Sequence, residues 1–313
     1  MHCFILAGGF ATRLWPLTEK RAKPLLPLAG KPILTHLIEH IPDDLPITVS
    51  TNAVFKNEFE KWKKDINRAV NILIEDTTHD DHKLGALGAL AKWIREKNIH
   101  EDVLLLTGDN YCGFSFKEFI GAFCQSTLLA VYDIGDIKRA KDYGTVLTNK
   151  NMVTAFEEKP ARSKTKLVNT GASLLPRRIL PMVIEFAKRC PDNVGGMFEE
   201  LLRRQESVEC FRFSEVWFDI GSFESYLEAT KTLVGNAVIN TGHHAEHSIM
   251  EESVVIGAGS CVTKSTMRNV VIFENCRIND CVLKDCIIDN NCIISHVDLT
   301  RKMIREGTIL DRK

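Results

Sequence analysis

The sequence predicts an α/β domain with a mixed, mostly parallel sheet, followed by a short parallel β-solenoid. Over residues 1–235, short apolar runs alternate with helical patterns, which is typical of βαβ units. After about Gly235 the helical period disappears, and apolar residues return roughly every six positions between polar corners, the pattern of hexapeptide repeats. We therefore predict one domain over residues 1–235 and a second over residues 236–313, which ends in a C-terminal tail.

The elements of the first domain are predicted from the spacing of its apolar side chains. The predicted strands cover residues 3–7, 47–50, 70–74, 103–107, 128–132, 144–147, 152–157 and 172–175. The predicted helices cover residues 32–41, 55–66, 84–97, 116–124, 178–188, 198–204 and 224–233. The Asn-Lys-Asn linker before residue 152 indicates that strands 144–147 and 152–157 form an antiparallel hairpin.

The second domain is predicted from its repeat alone. At about 18 residues per three-sided turn, a segment of this length forms about four turns. A small irregular β-sandwich is the alternative interpretation of the same apolar positions. Residues 301–313 are predicted to be a cap or a loose tail.

The amino-acid composition argues against a nucleic-acid-binding, membrane or secreted protein. The 313 residues are 44% hydrophobic and 26% charged, and the net charge is −1, so we expect no general attraction to nucleic acid or to an anionic membrane. No apolar run approaches the ~18–20 residues of a membrane span, and the first residues lack the basic region of a signal peptide. We therefore expect a cytoplasmic protein without nucleic-acid or membrane partners.

Ten cysteines are present, and none forms a C-x-x-C pair. We interpret them as reduced thiols that fill small apolar spaces. Zinc is the alternative, but the cysteine spacing does not fit the usual fingers and ribbons.

The stretch from Leu6 to Pro32, LAGGFATRLWPLTEKRAKPLLPLAGKP, carries five basic residues and one acid. It follows the first predicted strand, at the sheet edge where open α/β folds bind ligands. Gly8 and Gly9 allow close approach of backbone N–H groups to phosphate. Arg13 offers a planar fork for phosphate and Lys23 a point charge. The Walker and dinucleotide glycine patterns are absent, and a solvated basic loop is the alternative interpretation.

Two acids complete a candidate metal–nucleotide site. Asp109 follows the apolar run VLLLTG, and Asp219 lies in VWFDIGS. Each precedes a predicted turn, so we expect both carboxylates at strand ends that face one crevice. Mg²⁺ binds a few carboxylates together with phosphate oxygens and water. A turn or helix cap is the commoner use of each aspartate alone.

Two further segments point to a second ligand. Glu158 and Lys159 lie in FEEKP, and Asn169 opens the NTG segment before the next strand. Carboxylates and amides suit sugar hydroxyls, whereas a lysine suits a sugar phosphate. A surface hairpin is the alternative interpretation of the first segment.

With these motifs, the chain resembles the nucleoside-diphosphate-sugar pyrophosphorylases, which are sugar-1-phosphate nucleotidyltransferases. The family opening, GGxGTRLxPLTxxxPKPLxPxxxKP, compares with GGFATRLWPLTEKRAKPLLPLAGKP here. The motifs around Asp109, Glu158, Asn169 and Asp219 match as well. Two departures are Ala11 for glycine, where a positive φ would be strained, and Ala22 for proline.

The resemblance implies a Rossmann-like nucleotidyltransferase domain and a short left-handed parallel β-helix. It implies that a sugar-1-phosphate attacks the α-phosphorus of a nucleoside triphosphate and that pyrophosphate leaves. The implied catalytic residues are Arg13 and Lys23, and the implied ligands of Mg²⁺, the expected cofactor, are Asp109 and Asp219. The residues implied for the nucleotide are Leu6, Gly8, Gly9, Gly85 and Gly88. Those implied for the sugar phosphate are Gly144, Glu158, Lys159 and Asn169.

The sequence leaves several alternative roles open for particular residues. Gly85 and Gly88 could instead pack a helix close to its neighbour. We interpret the cluster of His243, His244 and His247 as a polar turn, with a metal site or an acetyltransferase base as the alternatives. Self-association through an exposed solenoid flank is expected.

Our first choice of substrates is glucose-1-phosphate with dTTP or UTP, and mannose-1-phosphate with GTP is the alternative. A non-catalytic sensor of nucleotide sugars and a sugar acyltransferase are the competing functions.

Overall fold

The computed structural model describes residues 1–9, 12–77, 84–242 and 244–312. Its contacts divide the chain into two compact units. The first unit comprises Met1–Gly9 and His36–Trp217, and the second comprises Phe10–Thr35 and Phe218–Lys313. In the described ranges, no helix is both long and apolar enough to cross a membrane.

The described ranges contain strands and helices with the following bounds. The strands are β1 (His2–Leu6), β2 (Pro27–Leu28), β3 (Lys31–Pro32), β4 (Ile47–Asn52), β5 (Val70–Glu75), β6 (Val103–Thr107), β7 (Asn110–Cys112), β8 (Thr127–Asp133), β9 (Gly144–Asn149), β10 (Met152–Glu158), β11 (Leu167–Leu175), β12 (Val208–Phe213), β13 (Trp217–Asp219), β14 (Val238–Asn240), β15 (His244–Glu246), β16 (Ile249–Ile256), β17 (Cys261–Thr263), β18 (Thr266–Ile272), β19 (Arg277–Asn279), β20 (Val282–Ile288), β21 (Ile293–Ser295), β22 (Asp298–Ile304) and β23 (Ile309–Asp311). The helices are α1 (Ile33–Glu39), α2 (Lys56–Asp65), α3 (Ala86–Glu96), α4 (Phe116–Gly121), α5 (Ile137–Ala140), α6 (Leu180–Arg189), α7 (Val194–Arg203) and α8 (Phe223–Val234).

The first unit is built on a nine-stranded mixed sheet with the order β5-β4-β1-β6-β11-β8-β12-β10-β9. The strands β5, β4, β1 and β6 are all parallel, as the βαβ pattern predicts. From β11 onward the sheet contains antiparallel pairs. Strand β11 runs antiparallel to both β6 and β8. Strand β9 forms an antiparallel hairpin with β10. The mixed sheet is thus confirmed, but only its first half is mostly parallel.

One hydrophobic cluster of the first unit lies between the sheet and the helices α3, α6 and α7. In α3, Leu87, Leu90 and Ile94 are buried at the spacing of one helix face. The indole of Trp93 stacks on Phe4 of β1 with 4.7 Å between the ring centroids. Helix α7 begins earlier than predicted, at Val194, because the Asn193 side chain accepts a hydrogen bond from the Gly196 N–H and so caps a glycine-containing first turn.

The C-terminal part of the second unit is a stack of parallel strands, here called the strand stack (β14 to β23). One sheet has the order β14-β16-β18-β20-β22 and the other the order β15-β17-β19-β21-β23. Val262 pairs with Ile278, which pairs with Ile294, so these coils are 16 residues long rather than about 18, and the preceding coil, from Ala245 to Val262, is 17 residues long. The side chains of Val262, Ile278 and Ile294 are buried, and they form one inward ladder of the hydrophobic core.

The shorter coil has a local cause at its corners. Each coil carries three residues with positive φ, and these positions recur with the coil. They are Lys264, Asn269 and Asn275, then Asp280, Asp285 and Asn291, then His296, Arg301 and Gly307. A left-handed residue turns the chain sharply, so the strands join through shorter corners than the predicted period allows. His247 has the same corner conformation, whereas His243 lies outside the described residues.

The packing of the strand stack bears on two expectations. A loose tail does not fit residues 301–311, because β22 and β23 pair in register with the preceding coil, whereas a cap stays a prediction. The thiols of Cys276, Cys281 and Cys286 are buried in the core of the stack. Their Sγ atoms contact backbone carbonyl oxygens of the next coil, and burial raises the pKa of Cys281 and Cys286.

Gly171 allows a stability prediction with a matched control. Its φ is +78°, and a Cβ atom would collide with the Thr107 side chain. Gly135 has a similar φ of +76° with nothing within 4 Å. We expect Gly135→Ala to cost about 1 kcal/mol for the left-handed backbone, and Gly171→Ala to cost about 1–3 kcal/mol more for overpacking. Urea unfolding measures both free energies, and equal losses would contradict the close approach of β11 to β6.

Candidate active site

The first group of candidate residues lies at the carboxyl ends of the parallel strands. The Gly108 N–H donates to the Leu6 carbonyl oxygen at 2.8 Å, so the turns that follow β1 and β6 are adjacent. The Asn52 side-chain amide donates to the Gly8 carbonyl oxygen at 2.9 Å, which holds this turn on β4. Gly9 is exposed. Leu6, Gly8 and Gly9 therefore line one edge of the sheet, as predicted.

Glu75 is a residue at this edge that the sequence analysis missed. It ends β5 and is only 6% exposed, and a Cβ atom on Gly8 would lie 3.2 Å from its Oε1. The Ser50 hydroxyl donates to that oxygen at 2.9 Å. Burial raises the pKa of Glu75, and the Ser50 hydrogen bond opposes the rise. The only signal in the sequence is an acid at the end of an apolar strand.

Asp109 lies in the turn between β6 and β7. The Asn110 side-chain amide donates to Asp109 Oδ1 at 3.0 Å and to the Thr107 hydroxyl at 2.6 Å. The carboxylate is partly exposed. The turn thus presents an oriented carboxylate next to the strand end that carries Gly8 and Gly9.

Gly85 and Gly88 begin α3 against the segment before α7. Gly85 has a φ of +75°, and a Cβ atom would lie 2.5 Å from the Pro191 carbonyl oxygen. The N–H groups of Leu87 and Gly88 donate to the same oxygen at 2.8 and 3.0 Å. Close packing therefore explains Gly85 on its own, and a nucleotide-binding role for the two glycines stays a prediction.

Gly144, Glu158 and Lys159 lie together at one end of the β9–β10 hairpin. A Cβ atom on Gly144 would lie 2.8 Å from Glu158 Oε2, and the Glu158 side chain also packs against Gly195 in the first turn of α7. Burial raises the pKa of Glu158, Lys159 lowers it and Glu199 raises it further. The Lys159 side chain is 65% exposed, with its Nζ 3.9 Å from Glu158 Oε1.

Asn169 carries an open hydrogen-bonding position. Its side-chain Oδ1 is buried and has no hydrogen-bond partner among the residues that the structure describes. A buried acceptor without a partner costs about 1–3 kcal/mol, so a donor from a ligand would be favourable there. A sugar hydroxyl is such a donor.

The second unit holds the other charged candidates. Arg13 is exposed in a short 3₁₀ turn. The Lys23 side chain is 7% exposed, and its Nζ donates to Asp219 Oδ1 at 3.3 Å. The proline-rich stretch of residues 12–32 and the WFDIG motif therefore meet in this pair. Ala22 has a φ of −64°, the value proline would impose, so this departure is tolerated; Ala11 lies outside the described residues.

The candidate carboxylates fit the metal that the resemblance implies. Asp109 and Asp219 are partly exposed, and Mg²⁺ prefers such oxygen ligands. Within residues 1–9, 12–77, 84–242 and 244–312, no group of three or more His, Cys, Asp or Glu could hold a metal ion. The chain would therefore supply single carboxylates, and phosphate oxygens and water would complete the coordination.

Comparison with known proteins identifies relatives of both parts of the chain. The family model of the nucleotidyl transferases matches residues 3–235, and a model of the GlmU-like C-terminal hexapeptide matches residues 221–299. The bifunctional protein GlmU of Methanocaldococcus jannaschii is 26% identical over 83% of this chain and 61% of its own length. The mannose-1-phosphate guanylyltransferase catalytic subunit beta of Drosophila melanogaster is 29% identical over 72% of this chain and 61% of its own length.

Two further matches extend the comparison. The mannose-1-phosphate guanylyltransferase of Mycobacterium tuberculosis is 26% identical over 93% of this chain and 82% of its own length. A crystal structure from Bacillus anthracis, provisionally assigned as a glucose-1-phosphate thymidylyltransferase, covers 78% of this chain with a TM-score of 0.66. At 20% identity it shows the fold alone.

The chain spans about three fifths of the length of the first relatives that it matches. The match to the family model covers most of this chain, including both strand ends at the sheet edge and the Lys23–Asp219 pair. The chain belongs to the nucleotidyl transferase family.

Proposed function

We propose that this chain transfers a nucleoside monophosphate from a nucleoside triphosphate to a sugar-1-phosphate and releases pyrophosphate. The observation that carries the proposal is the pairing of Leu6 with Thr107 in adjacent parallel strands. It brings the turn with Gly8 and Gly9 beside the turn with Asp109. A flexible backbone edge next to a carboxylate suits a metal-bound triphosphate at the carboxyl end of a parallel sheet.

In the proposed reaction, a phosphate oxygen of the sugar-1-phosphate attacks the α-phosphorus of the triphosphate. One P–O bond forms, the bond to the pyrophosphate oxygen breaks, and pyrophosphate leaves with its electron pair. The protein contributes position and charge rather than a covalent intermediate. Mg²⁺, held by Asp109 and Asp219, would neutralise phosphate charge.

Each charged candidate residue has a specific task in this proposal. Arg13 would bind the triphosphate through its planar fork and stabilise the charge that develops at the α-phosphate. Lys23 would provide a positive charge at the phosphates, and Asp219 holds its Nζ in place. Lys159 would bind the phosphate of the sugar, for which its exposed Nζ is suited.

The sugar itself would contact Gly144, Glu158 and Asn169. The buried Asn169 Oδ1 can accept one hydroxyl, and Glu158 can accept another. Gly144 packs closely against Phe156 and Glu158, where a Cβ atom would collide with both side chains, so a sugar contact there would come from its backbone. Together these residues favour a ligand with several hydroxyl groups.

Two substrate pairs remain candidates within this reaction. Glucose-1-phosphate with dTTP or UTP is the pair that the sequence analysis places first. Mannose-1-phosphate with GTP is the second, and the names of the relatives from Drosophila melanogaster and Mycobacterium tuberculosis favour it. We further infer that the strand stack is the left-handed β-helix that the hexapeptide match implies, that it begins near residue 236, and that it supports self-association.

A crossed panel tests the proposed reaction directly. Four nucleoside triphosphates are each combined with glucose-, mannose- and N-acetylglucosamine-1-phosphate and Mg²⁺, and pyrophosphate release is measured. We expect one pair to exceed the others by at least about tenfold, which corresponds to about 1.4 kcal/mol. Binding of a nucleotide sugar without pyrophosphate release in any mixture would favour the non-catalytic sensor. Consumption of acetyl-CoA would favour the acyltransferase.

The metal assignment predicts the effect of removing either carboxylate. Asp109→Ala and Asp219→Ala are each expected to lower Mg²⁺-dependent pyrophosphate release about a hundredfold or more, with an unchanged circular dichroism spectrum. Asp65→Asn, at the exposed end of α2, is the control and should retain full activity. Near-normal turnover of either alanine variant would remove that residue from the metal site.

The role of Arg13 predicts that a lysine cannot replace it. An ammonium group cannot make the two parallel hydrogen bonds of a guanidinium to phosphate. Arg13→Lys should therefore lose one charge-assisted bond of about 1.5–3 kcal/mol, which is roughly a tenfold or greater loss of kcat/KM for the triphosphate. Arg139→Lys, on the exposed face of α5, is the matched control. Kinetically silent Arg13→Lys would exclude Arg13 from the site.

Glu158 is expected to lower the stability of the folded chain at neutral pH while it contributes to binding of the sugar-1-phosphate. Because burial raises its pKa above the ordinary 4.5, the folded chain loses stability as the pH rises through the raised pKa. Glu158→Gln should therefore be at least as stable as the parent at pH 7, and this difference should fade below about pH 4.5. The same variant should raise KM for the sugar-1-phosphate.

Thermal unfolding at pH 4 and pH 7 and initial-rate kinetics measure both effects. Glu228→Gln, an exposed change on α8, should alter neither. A Glu158→Gln variant that is destabilised at pH 7 and keeps its KM would contradict the sugar-binding role.

A further inference from the structure

The segment of residues 12–32, here called the basic segment, has little regular structure of its own. It contains two short 3₁₀ turns and the two-residue strands β2 and β3. Arg13 and Lys23, the proposed phosphate-binding residues, both belong to it. A segment of this kind holds a fixed shape only if other parts of the chain fix it.

The strand stack supplies such a contact through Arg21 and Asp289. Arg21 Nη1 donates to Asp289 Oδ1 at 3.1 Å, and the two side chains are only 19% and 5% exposed. The guanidinium also lies over the Phe273 ring, 5.3 Å from its centroid. Asp289 follows β20 and Phe273 follows β18, so two successive coils hold one side chain of the basic segment.

Other contacts surround this pair. The Tyr226 hydroxyl of α8 donates to the Pro27 carbonyl oxygen. The Glu19 and Lys20 side chains form exposed ion pairs with Arg305 and Glu306 of the last coil. Exposed ion pairs contribute little, so of the three ion pairs named here the buried Arg21–Asp289 pair restricts the basic segment most.

Stability alone does not explain the pair. Burial raises the pKa of Asp289, and Arg21 and the Asn290 N–H lower it, so the carboxylate is costly to keep charged. A buried ion pair often adds no net stability over well-packed apolar residues. It does fix the position of both partners, because a shift of either leaves a buried charge unpaired.

The consequence for Lys23 follows from chain connectivity. Arg21 and Lys23 are separated only by Ala22, whose side chain is fully buried. Asp219 holds Lys23 on the other side at 3.3 Å. The short stretch of three residues is therefore fixed at both ends by a carboxylate, one of which comes from the strand stack.

We propose that Asp289 and Arg21 are positioning residues through which the strand stack holds Lys23 and the basic segment in the arrangement that binds the triphosphate. This inference rests on the proposed function for its kinetic consequence. By this inference, the strand stack contributes to triphosphate binding through the position of Lys23.

The test compares Asp289→Asn and Arg21→Lys with the unaltered chain, well below every unfolding midpoint. Asp289→Asn should lower kcat/KM for the triphosphate tenfold or more, and KM for the sugar-1-phosphate should stay within twofold. Arg21→Lys keeps the positive charge, so it should retain part of the kcat/KM that Asp289→Asn loses. Hydrogen exchange of residues 12–32 should be faster in Asp289→Asn, whereas that of residues 47–75 should be unchanged.

Glu252→Gln is the matched control. Glu252 also lies on the strand stack and pairs with Arg268 and with Lys231 of α8, but it does not contact the basic segment in any described contact. In Glu252→Gln, both kcat/KM for the triphosphate and the hydrogen exchange of residues 12–32 should equal those of the unaltered chain. Unchanged exchange of residues 12–32 in Asp289→Asn, or a loss of kcat/KM that Glu252→Gln reproduces, would overturn the proposal.

The exchange measurement also separates this proposal from the proposed function. If the unaltered chain releases no pyrophosphate with any substrate pair, the proposed function fails. Faster exchange of residues 12–32 in Asp289→Asn would still support the positioning contact in that case, and unchanged exchange would overturn it.

Discussion

The ion pair between Lys23 and Asp219 joins two segments that are 196 residues apart in the chain. Lys23 is almost fully buried, and burying a charged group is costly unless it is paired. The carboxylate of Asp219 offsets that cost for the positive charge of Lys23. The proposed chemistry depends on that charge, and so does the fixed position of the residues beside it, which Arg21 and Asp289 complete from the strand stack.

Much of the fold follows from apolar spacing, because buried strands and one-sided helices leave a direct pattern in the chain. The parallel half of the sheet and α3 were predicted from that pattern. The start of α7 was not, because a single side chain, Asn193, caps a turn that two glycines weaken. Strand β12 was also missed, since VECFRF alternates between apolar and polar residues over a short length. Its strand character depends on the long-range pairing with β8.

The residues of the candidate site likewise fall into two groups, those predicted from sequence and those that only the structure shows. Charged residues such as Asp109 and Lys23 were predicted as site residues from sequence because they lie in motifs that resemble those of the family. Glu75 was not found, because one acid at the end of an apolar strand carries no signal until Gly8 is seen beside it. The unpartnered oxygen of Asn169 is likewise a property of packing. Motifs in the sequence indicate the candidate groups, and only the tertiary contacts show which neighbours hold them.

The 16-residue coil constrains how this protein can change its length. Successive coils repeat the same corners, and Val262, Ile278 and Ile294 form one inward ladder. Loss of one residue from a strand would therefore turn the buried side chains that follow it toward water, unless an irregularity such as the register shift in β16 absorbed it. Gain or loss of a whole coil would keep every later side chain on its own side. A coil gained or lost after Asp289 would leave that carboxylate in place beside Arg21, whereas a coil gained or lost between α8 and Asp289 would move it away from Arg21.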